Sequence, residues 1–417
     1  MKYIGLFLGV LFLLFVGCRT APSPNLADGL ECEGLEENAT NNFDDVTMLM
    51  EVLFLAKQNF VEDVEFRDLV YMAADGMLQE MDENSSFLQP DEYEELEEET
   101  NGEFCGVGVT VDSDDEGVMR VLATIDDSPA FHAGILAGDA ITAIDGTNVV
   151  GTSMDVVLKM MRGEEGSNVT LGIHRDPDKE LEFKLVRKDI HVSGIRPVLD
   201  LGDGIGYVRI AQFNQNLPEE FTKVLKQFRE TKVKGIILDV RDNPGGLLLA
   251  ATGVAEQLLK RGKTIVFIEG RRKDEDDPGE YTAGKCEIRD TKTPIIMLVN
   301  GSSASASEIL TGALRDHMRA VVVGTQTYGK ASVQSVIPLS TRPDCAIRLT
   351  TAYYLTPKRK EIHGEGLSPD FVVEIDSDEW NKIRQQLVEG KGFKGVRDPQ
   401  LEKAVELLKG MIPGGNK

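Results

Sequence analysis

Histidine, cysteine and positive charge are scarce in this 417-residue chain, and no apolar run is long enough to cross a bilayer comfortably. Each shortage closes off a function class. The five histidines (His132, His174, His191, His317, His363) are scattered, and no Cys-x-x-Cys occurs, so neither a metal centre nor another bound cofactor is expected. Lysine and arginine number 45 against 70 aspartates and glutamates, a net charge of −25. With no basic stripe, nucleic-acid binding is not expected. The carboxylates concentrate in Asp91–Glu99 and Asp274–Asp277, which read as solvated faces. The length implies two or three domains, and a hydrophobic content of 41% is enough for real cores. No internal repeat or low-complexity stretch is evident.

The longest apolar run is Ile4–Val16, behind the positive start at Lys2. It is too short for a membrane span and suits a signal peptide. Phe15-Val16-Gly17-Cys18 follows and resembles the end of a bacterial lipoprotein signal, in which Cys18 becomes the lipidated first residue; Phe15 stands where leucine is usual. An ordinary secretory signal is the plainer alternative. Either predicts export, and the lipoprotein reading places the chain on the periplasmic side of a bacterial membrane, anchored by lipid. Residues 19–42 read as a tether. Cys32, Cys105, Cys286 and Cys345 remain, and disulfides and buried thiols are both open to them.

Apolar spacing predicts an N-terminal helical region over 43–101, with Pro90-Asp91-Glu92 opening its third helix. The pattern then turns strand-like from Phe104, through Cys105-Gly106-Val107-Gly108-Val109. Ser128-Pro129-Ala130 opens a short helix, and Asp145-Gly146 marks a tight turn. Residues 189–376 repeat strand–turn–helix units, which predicts a mainly parallel sheet with its site at the strand C-terminal ends. A C-terminal helical segment follows over 377–417.

Within the third region, Pro294–Val299 reads as a buried strand, and a small polar run then opens a helix at Ala306. Ser305 sits at that helix start, and Lys330 follows 25 residues later. A helix N-terminus offers backbone donors for an oxyanion, and a neutral lysine can take a serine proton without histidine. Lysine is a poor base at its free pKa of ~10.4, but burial can lower it by ~3–5 units. Gln334 lies four positions beyond Lys330, a spacing that shares a face on a strand, and its amide adds no charge that would favour the ammonium. Arg241-Asp242-Asn243-Pro244-Gly245-Gly246 makes a sharp strand-to-helix turn whose glycines permit close backbone approach. The plainer alternatives are that Ser305-x-x-Glu308 is a capping box, that Lys330 is solvated and that the glycines only turn the chain.

Two resemblances weigh against those alternatives. Residues 102–188, with Gly-Val-Gly-Val at their head and Ser-Pro-Ala, Gly-Asp and Ile-Asp-Gly behind it, resemble a PDZ domain. This implies that the N–H groups of Val107, Gly108 and Val109 hold a peptide's terminal carboxylate. The chain from Gly76 onward resembles the carboxyl-terminal processing proteases, PDZ-containing tail-specific serine peptidases. The resemblance is carried by Gly76-Met77-Leu78 through Ser85-Ser86-Phe87-Leu88, Asp239–Gly246, Ser303–Ile309, Gly329–Lys330 to Gln334, Arg348–Ala352 and Asp398–Leu401. It implies an α/β multidomain fold: an N-terminal helical region, then a PDZ domain placed before a mainly parallel α/β protease core of crotonase/ClpP-like type. It implies Ser305 as nucleophile, Lys330 as general base and Gln334 as orienting residue. The oxyanion hole would come from Ala306 with Gly245 or Gly246. Ala331 departs from the family's second glycine and stiffens the lysine loop. The expected activity is exported serine endopeptidase action on polypeptides with free C-termini. An adaptor protein and a homo-oligomer are compatible with such a chain, and Arg162 is a candidate link between domains. The rival is an inert PDZ scaffold or ligand-binding module on the same fold.

Overall fold

The computed structural model describes residues 36–412, apart from 114–116, 126, 176, 178, 272–278 and 389–391. The leader, Cys18, Cys32 and the tether up to residue 35 lie outside the described residues. Helices α1 (Glu36–Asn59), α2 (Phe66–Gln79) and α3 (Pro90–Asn101) open it, with strand β1 (Ser86–Leu88) before α3. The PDZ-like stretch follows as β2 (Glu103–Gly106), β3 (Val109–Ser113), β4 (Met119–Thr124), α4 (Pro129–Ala133), β5 (Ala140–Ile144), β6 (Thr147–Asn148), α5 (Met154–Met161), β7 (Asn168–Arg175), β8 (Lys179–Val186) and β9 (Lys188–His191). The rest comprises β10 (Ile195–Asp200), β11 (Ile205–Ile210), α6 (Leu217–Glu230), β12 (Gly235–Asp239), α7 (Leu248–Leu258), β13 (Thr264–Gly270), β14 (Glu280–Thr282), β15 (Ile295–Val299), α8 (Ala306–Asp316), β16 (Ala320–Gly324), β17 (Ser332–Leu339), β18 (Arg342–Leu355), β19 (Phe371–Val372), α9 (Ser377–Val388) and α10 (Pro399–Met411).

The chain divides into two compact units. The first holds the described residues up to Glu97, with Gly270, Arg271 and Ser332–Tyr353. There β1 and β17 both pair antiparallel with β18. Leu88, Tyr93, Val336 and Ala346 form one small core, and Leu78, Phe87 and Cys345 another. α1 and α2 touch through Phe54 and Phe66, yet Phe43, Val46, Phe54, Met72 and Met77 keep more than half their surface exposed in the single chain.

The second unit carries the PDZ-like stretch and the six-stranded sheet of the protease-like part. Its PDZ-like part is an antiparallel sheet in the order β3-β4-β5-β7-β8 around Val121, Ile141, Leu171 and Ile173. Ser128 caps α4 by accepting from Phe131 N–H at 3.2 Å, with Pro129 at the first helical position and left-handed Gly134 (φ 82°) as stop. Asn168 to His174 reads as a strand in the sequence and is β7; its hairpin partner β8 does not, because it is mostly solvent-facing and highly charged, so its apolar signal is thin.

The protease-like part is a six-stranded sheet in the order β10-β11-β12-β15-β16-β19. All its pairings are parallel except the β10–β11 edge, whereas the other sheets pair antiparallel. The parallel expectation therefore holds for the core sheet alone. β12 and β15 are buried at every residue, as strands covered on both faces must be. α6, α7 and α8 cover the sheet, each bringing an apolar face such as Phe221, Leu225 and Phe228 of α6. Burying each such side chain contributes about 1.5–3 kcal/mol. No helix among the described residues is long and apolar enough to cross a membrane. Cys105, Cys286 and Cys345 are free thiols.

Candidate active site

Ser305 stands at the bend from β15 into α8, with φ 52° and ψ −115°. A non-glycine residue in that region costs roughly 1–3 kcal/mol, so its surroundings must hold it there. They do so with polar bonds. Ser303 Oγ donates to Val240 O at 2.7 Å, Ser307 Oγ to Asn243 O at 2.9 Å, and Ala304 N–H to the same carbonyl at 3.1 Å. The helix start is thereby fixed to the turn that follows β12.

Glu308 is the hub of the site. Its Oε2 accepts from the N–H of Ser305 at 3.0 Å and from the N–H of Lys330 at 2.9 Å. Its Oε1 accepts from Thr327 Oγ1 at 2.5 Å and Gly329 N–H at 2.8 Å. Burial pushes its carboxyl above the usual glutamate range, and these four donors offset part of that. The capping-box reading is therefore correct as far as the Ser305 N–H, but the same carboxylate also gathers the lysine loop. Opposite it, the fully buried Tyr354 hydroxyl donates to Lys330 O at 2.8 Å and lies 3.2 Å from Ser305 O. Burial, then the Glu308 charge, keeps that phenol protonated, well above its ordinary pKa. Ser305 and Lys330 are both half-buried.

The glycine turn lies against the serine. A Cβ on Gly245 (φ 115°) would come within 2.8 Å of Ser305 Cβ and 3.0 Å of Ala306 N, so only glycine fits. Gly245 N–H is occupied by Asn243 Oδ1 at 2.9 Å. Gly245 O accepts from Phe213 N–H, so the planar trans peptide turns Gly246 N–H the opposite way. No described residue accepts from the N–H of Ala306 or of Gly246.

Beneath the turn is Arg241, whose side chain is 0% exposed. It pairs with Asp239 at 2.6 Å and Asp398 at 2.8 Å, bonds Gln400 at 2.9 Å, and lies 4.4 Å over the Trp380 ring. Tyr207 donates to Asp239, and Trp380 Nε1–H to Asp242, both at 2.7 Å. Burial opposes ionisation of Asp239, but the Arg241 charge and bonds outweigh it and hold the carboxyl below its usual value. The C-terminal helices α9 and α10 thus brace the turn. Sequence reasoning placed Asp398 only as a family segment and missed Trp380.

Gln334 belongs to β17 in the other unit. It is 2% exposed and donates to Thr350 Oγ1 at 3.2 Å; that hydroxyl donates to Asp82 at 3.1 Å, and Ser85 Oγ donates to the same carboxylate at 2.8 Å. Lys330 precedes β17, so the shared-face argument from a spacing of four does not apply.

In the PDZ-like part, Val107 O accepts from Ala130 N–H, and Gly108 O from Ile125 N–H, both at 2.9 Å. The trans peptides therefore aim the N–H groups of Gly108 and Val109 away from those partners. A cavity of about 260 Å³ is lined by Gly106–Val111, by Met154, Leu158 and Met161 of α5, and by Arg162 and Arg196. Arg162 is paired with Glu98 at 2.9 Å and lies over the Phe104 ring. It thus ties the end of α5 to the end of α3.

Known proteins agree with this architecture. The model for peptidase family S41 matches residues 204–373, and a PDZ-domain model matches 120–175. A carboxy-terminal-processing protease of Bartonella bacilliformis is 37% identical over 90% of this chain and 91% of its own length. A carboxyl-terminal-processing protease of Synechocystis is 35% identical over 87% of this chain and 83% of its own. The crystal structure of a putative S41 protease from Bacteroides fragilis shares the fold over 81% of this chain and 90% of its own, at TM-score 0.53 and 15% identity. On this similarity over nearly its whole length, the chain belongs to the carboxyl-terminal-processing proteases of peptidase family S41 and is a serine peptidase.

Proposed function

We propose that this peptidase cleaves through a Ser305 acyl-enzyme with Lys330 as general base, on polypeptides whose free C-termini are held in the PDZ groove. The observation that carries this reading is the shared Glu308 carboxylate, which fixes the backbones of Ser305 and Lys330 to each other. Ser305 Oγ attacks the scissile carbonyl while its proton passes to the lysine amine. The resulting ammonium then protonates the leaving amine, and water repeats the cycle to release the acid. The oxyanion falls to Ala306 and Gly246, the two N–H groups without a described acceptor; Gly245 serves by its missing Cβ. Gln334 acts as the orienting amide of the base.

The groove suits a tail with an apolar last side chain, given Val107, Val109, Leu158 and Met161 in its lining. Export by the leader and lipidation at Cys18 belong to this proposal on sequence grounds alone, and so do an adaptor or a homo-oligomer as partners. An irreversible serine-directed probe on the mature protein tests the chemistry. Labelling is expected at Ser305 alone, with loss of cutting in step. Cutting that persists in purified Ser305→Ala or Lys330→Ala refutes the dyad, and tail binding without any cutting by the native chain leaves the scaffold reading.

A further inference from the structure

We infer that Arg196, supplied by the protease sheet and not by the PDZ domain, is the cation that receives the substrate's C-terminal carboxylate. This rests on the reading of the groove as a tail site. Arg196 lies in β10, the antiparallel edge of the core sheet, yet it lines the PDZ cavity beside Gly106, Phe104 and Arg162. That is the end at which a tail must terminate. A Cβ on Gly106 would stand 3.7 Å from the carbonyl of Met161, the last residue of α5, and the loop that follows aims the N–H groups of Gly108 and Val109 away from the partners of its carbonyls.

Of the two arginines there, Arg162 already has Glu98. The Arg196 side chain forms no hydrogen bond or ion pair with any described residue. Its charged neighbours are Arg209 and Glu220, and the Glu220 carboxylate is occupied by His191 and Ser193, each at 2.9 Å. Arg196 is exposed, and the like charge of Arg209 stands near it. An accessible cation at the rim of an apolar groove, without a carboxylate bonded to it, is matched by an anion that arrives with the ligand. An α-carboxylate at the end of an apolar tail fits both the charge and the lining. The placement also has a consequence for catalysis. Arg209 Nη2 lies 3.4 Å from Arg241 O, so the sheet that feels the tail charge is the one that carries the oxyanion turn.

The test is peptide binding to the full mature chain carrying Ser305→Ala, with one labelled apolar-tailed peptide prepared as free acid and as C-terminal amide. The parent is expected to prefer the acid. Arg196→Ala should weaken acid binding by roughly tenfold to a hundredfold and leave the amide nearly unchanged, so that the preference collapses. Arg196→Lys should retain part of it, and thermal melting confirms that both variants fold. An unaltered acid preference in a folded Arg196→Ala protein overturns the Arg196 assignment and leaves tail recognition to the loop amides. A parent that binds neither peptide, or both equally, overturns the tail-site reading itself and this inference with it.

Discussion

Arg241 is sealed beneath the glycine turn with Asp239 at 2.6 Å and Asp398 at 2.8 Å, while Arg196, in the same sheet, faces a groove with no described carboxylate bonded to it. Two identical side chains thus do opposite work. A fully buried cation with two anions is internally compensated, and its value lies in what it holds still. A cation left uncompensated beside a cavity adds nothing to the fold and awaits a ligand. The Ser305 corner follows the first pattern throughout: Glu308 is saturated by four donors, and the Tyr354 hydroxyl lies between two carbonyls. The groove follows the second. Rigidity is concentrated at the proposed reacting corner, and unmet charge at the proposed tail groove.

The sharpest way to break this contrast is Arg241→Ala. It leaves Asp239 and Asp398 buried without their cation, and removing one partner of a buried pair costs about 3–5 kcal/mol. A denaturant midpoint should fall accordingly, with the single tryptophan, Trp380, reporting the loss of its stacked guanidinium. The effect has a pH signature. The Arg241 charge holds the Asp239 carboxyl below the usual aspartate range, so its stabilisation is complete above that range and is lost as pH falls through the depressed value. The gap between native and variant proteins should therefore shrink in strong acid. A variant as stable as the native chain near neutrality would show that the C-terminal helices do not brace the turn.

Much of the fold was legible because it rests on local signals. The Ser128-Pro129 helix start and the all-apolar run of β15 stand where capping and hydrophobicity put them. The site was legible only in part. Ser305 and the glycine turn are recognisable from residue type, but nothing in a serine announces φ 52°. Glu308 was visible as a cap three residues on; its hold on Lys330, 22 residues away, comes from loop closure and has no periodic trace. Arg241 and Asp398 are 157 residues apart, and Arg196 meets the PDZ groove only through the tertiary fold. Long-range polar pairing leaves no pattern in a single sequence.

A smaller effect is expected from Glu308→Gln. The amide keeps the shape but offers one acceptor oxygen to four donors, so kcat should drop roughly 10- to 100-fold with KM little changed. In the native enzyme the ionised carboxylate is the form that accepts all four bonds. Burial raises its pKa, so activity should fall in acid at a midpoint above 4.5, and that limb should vanish in the variant. For stability the sign is reversed: a raised carboxyl pKa favours the fold on the acid side and loses that advantage as pH climbs through it. An unchanged acid limb in Glu308→Gln would remove Glu308 from its positioning role.

The smallest change is Tyr354→Phe, which deletes one oxygen from a fully buried ring. The carbonyls of Lys330 and Ser305 lose their common donor, at a cost of about 1–2 kcal/mol in stability. A purely structural hydroxyl would show only that loss. A positioning hydroxyl lets the lysine loop drift from the serine, so kcat should also fall by roughly three- to tenfold at constant KM, measured well below the melting temperature. Tail binding should be untouched, because the groove lies on other elements of the fold. Full kcat in a measurably destabilised Tyr354→Phe would confine the clamp to Glu308, and weakened tail binding would show that the corner and the groove are not separable as drawn.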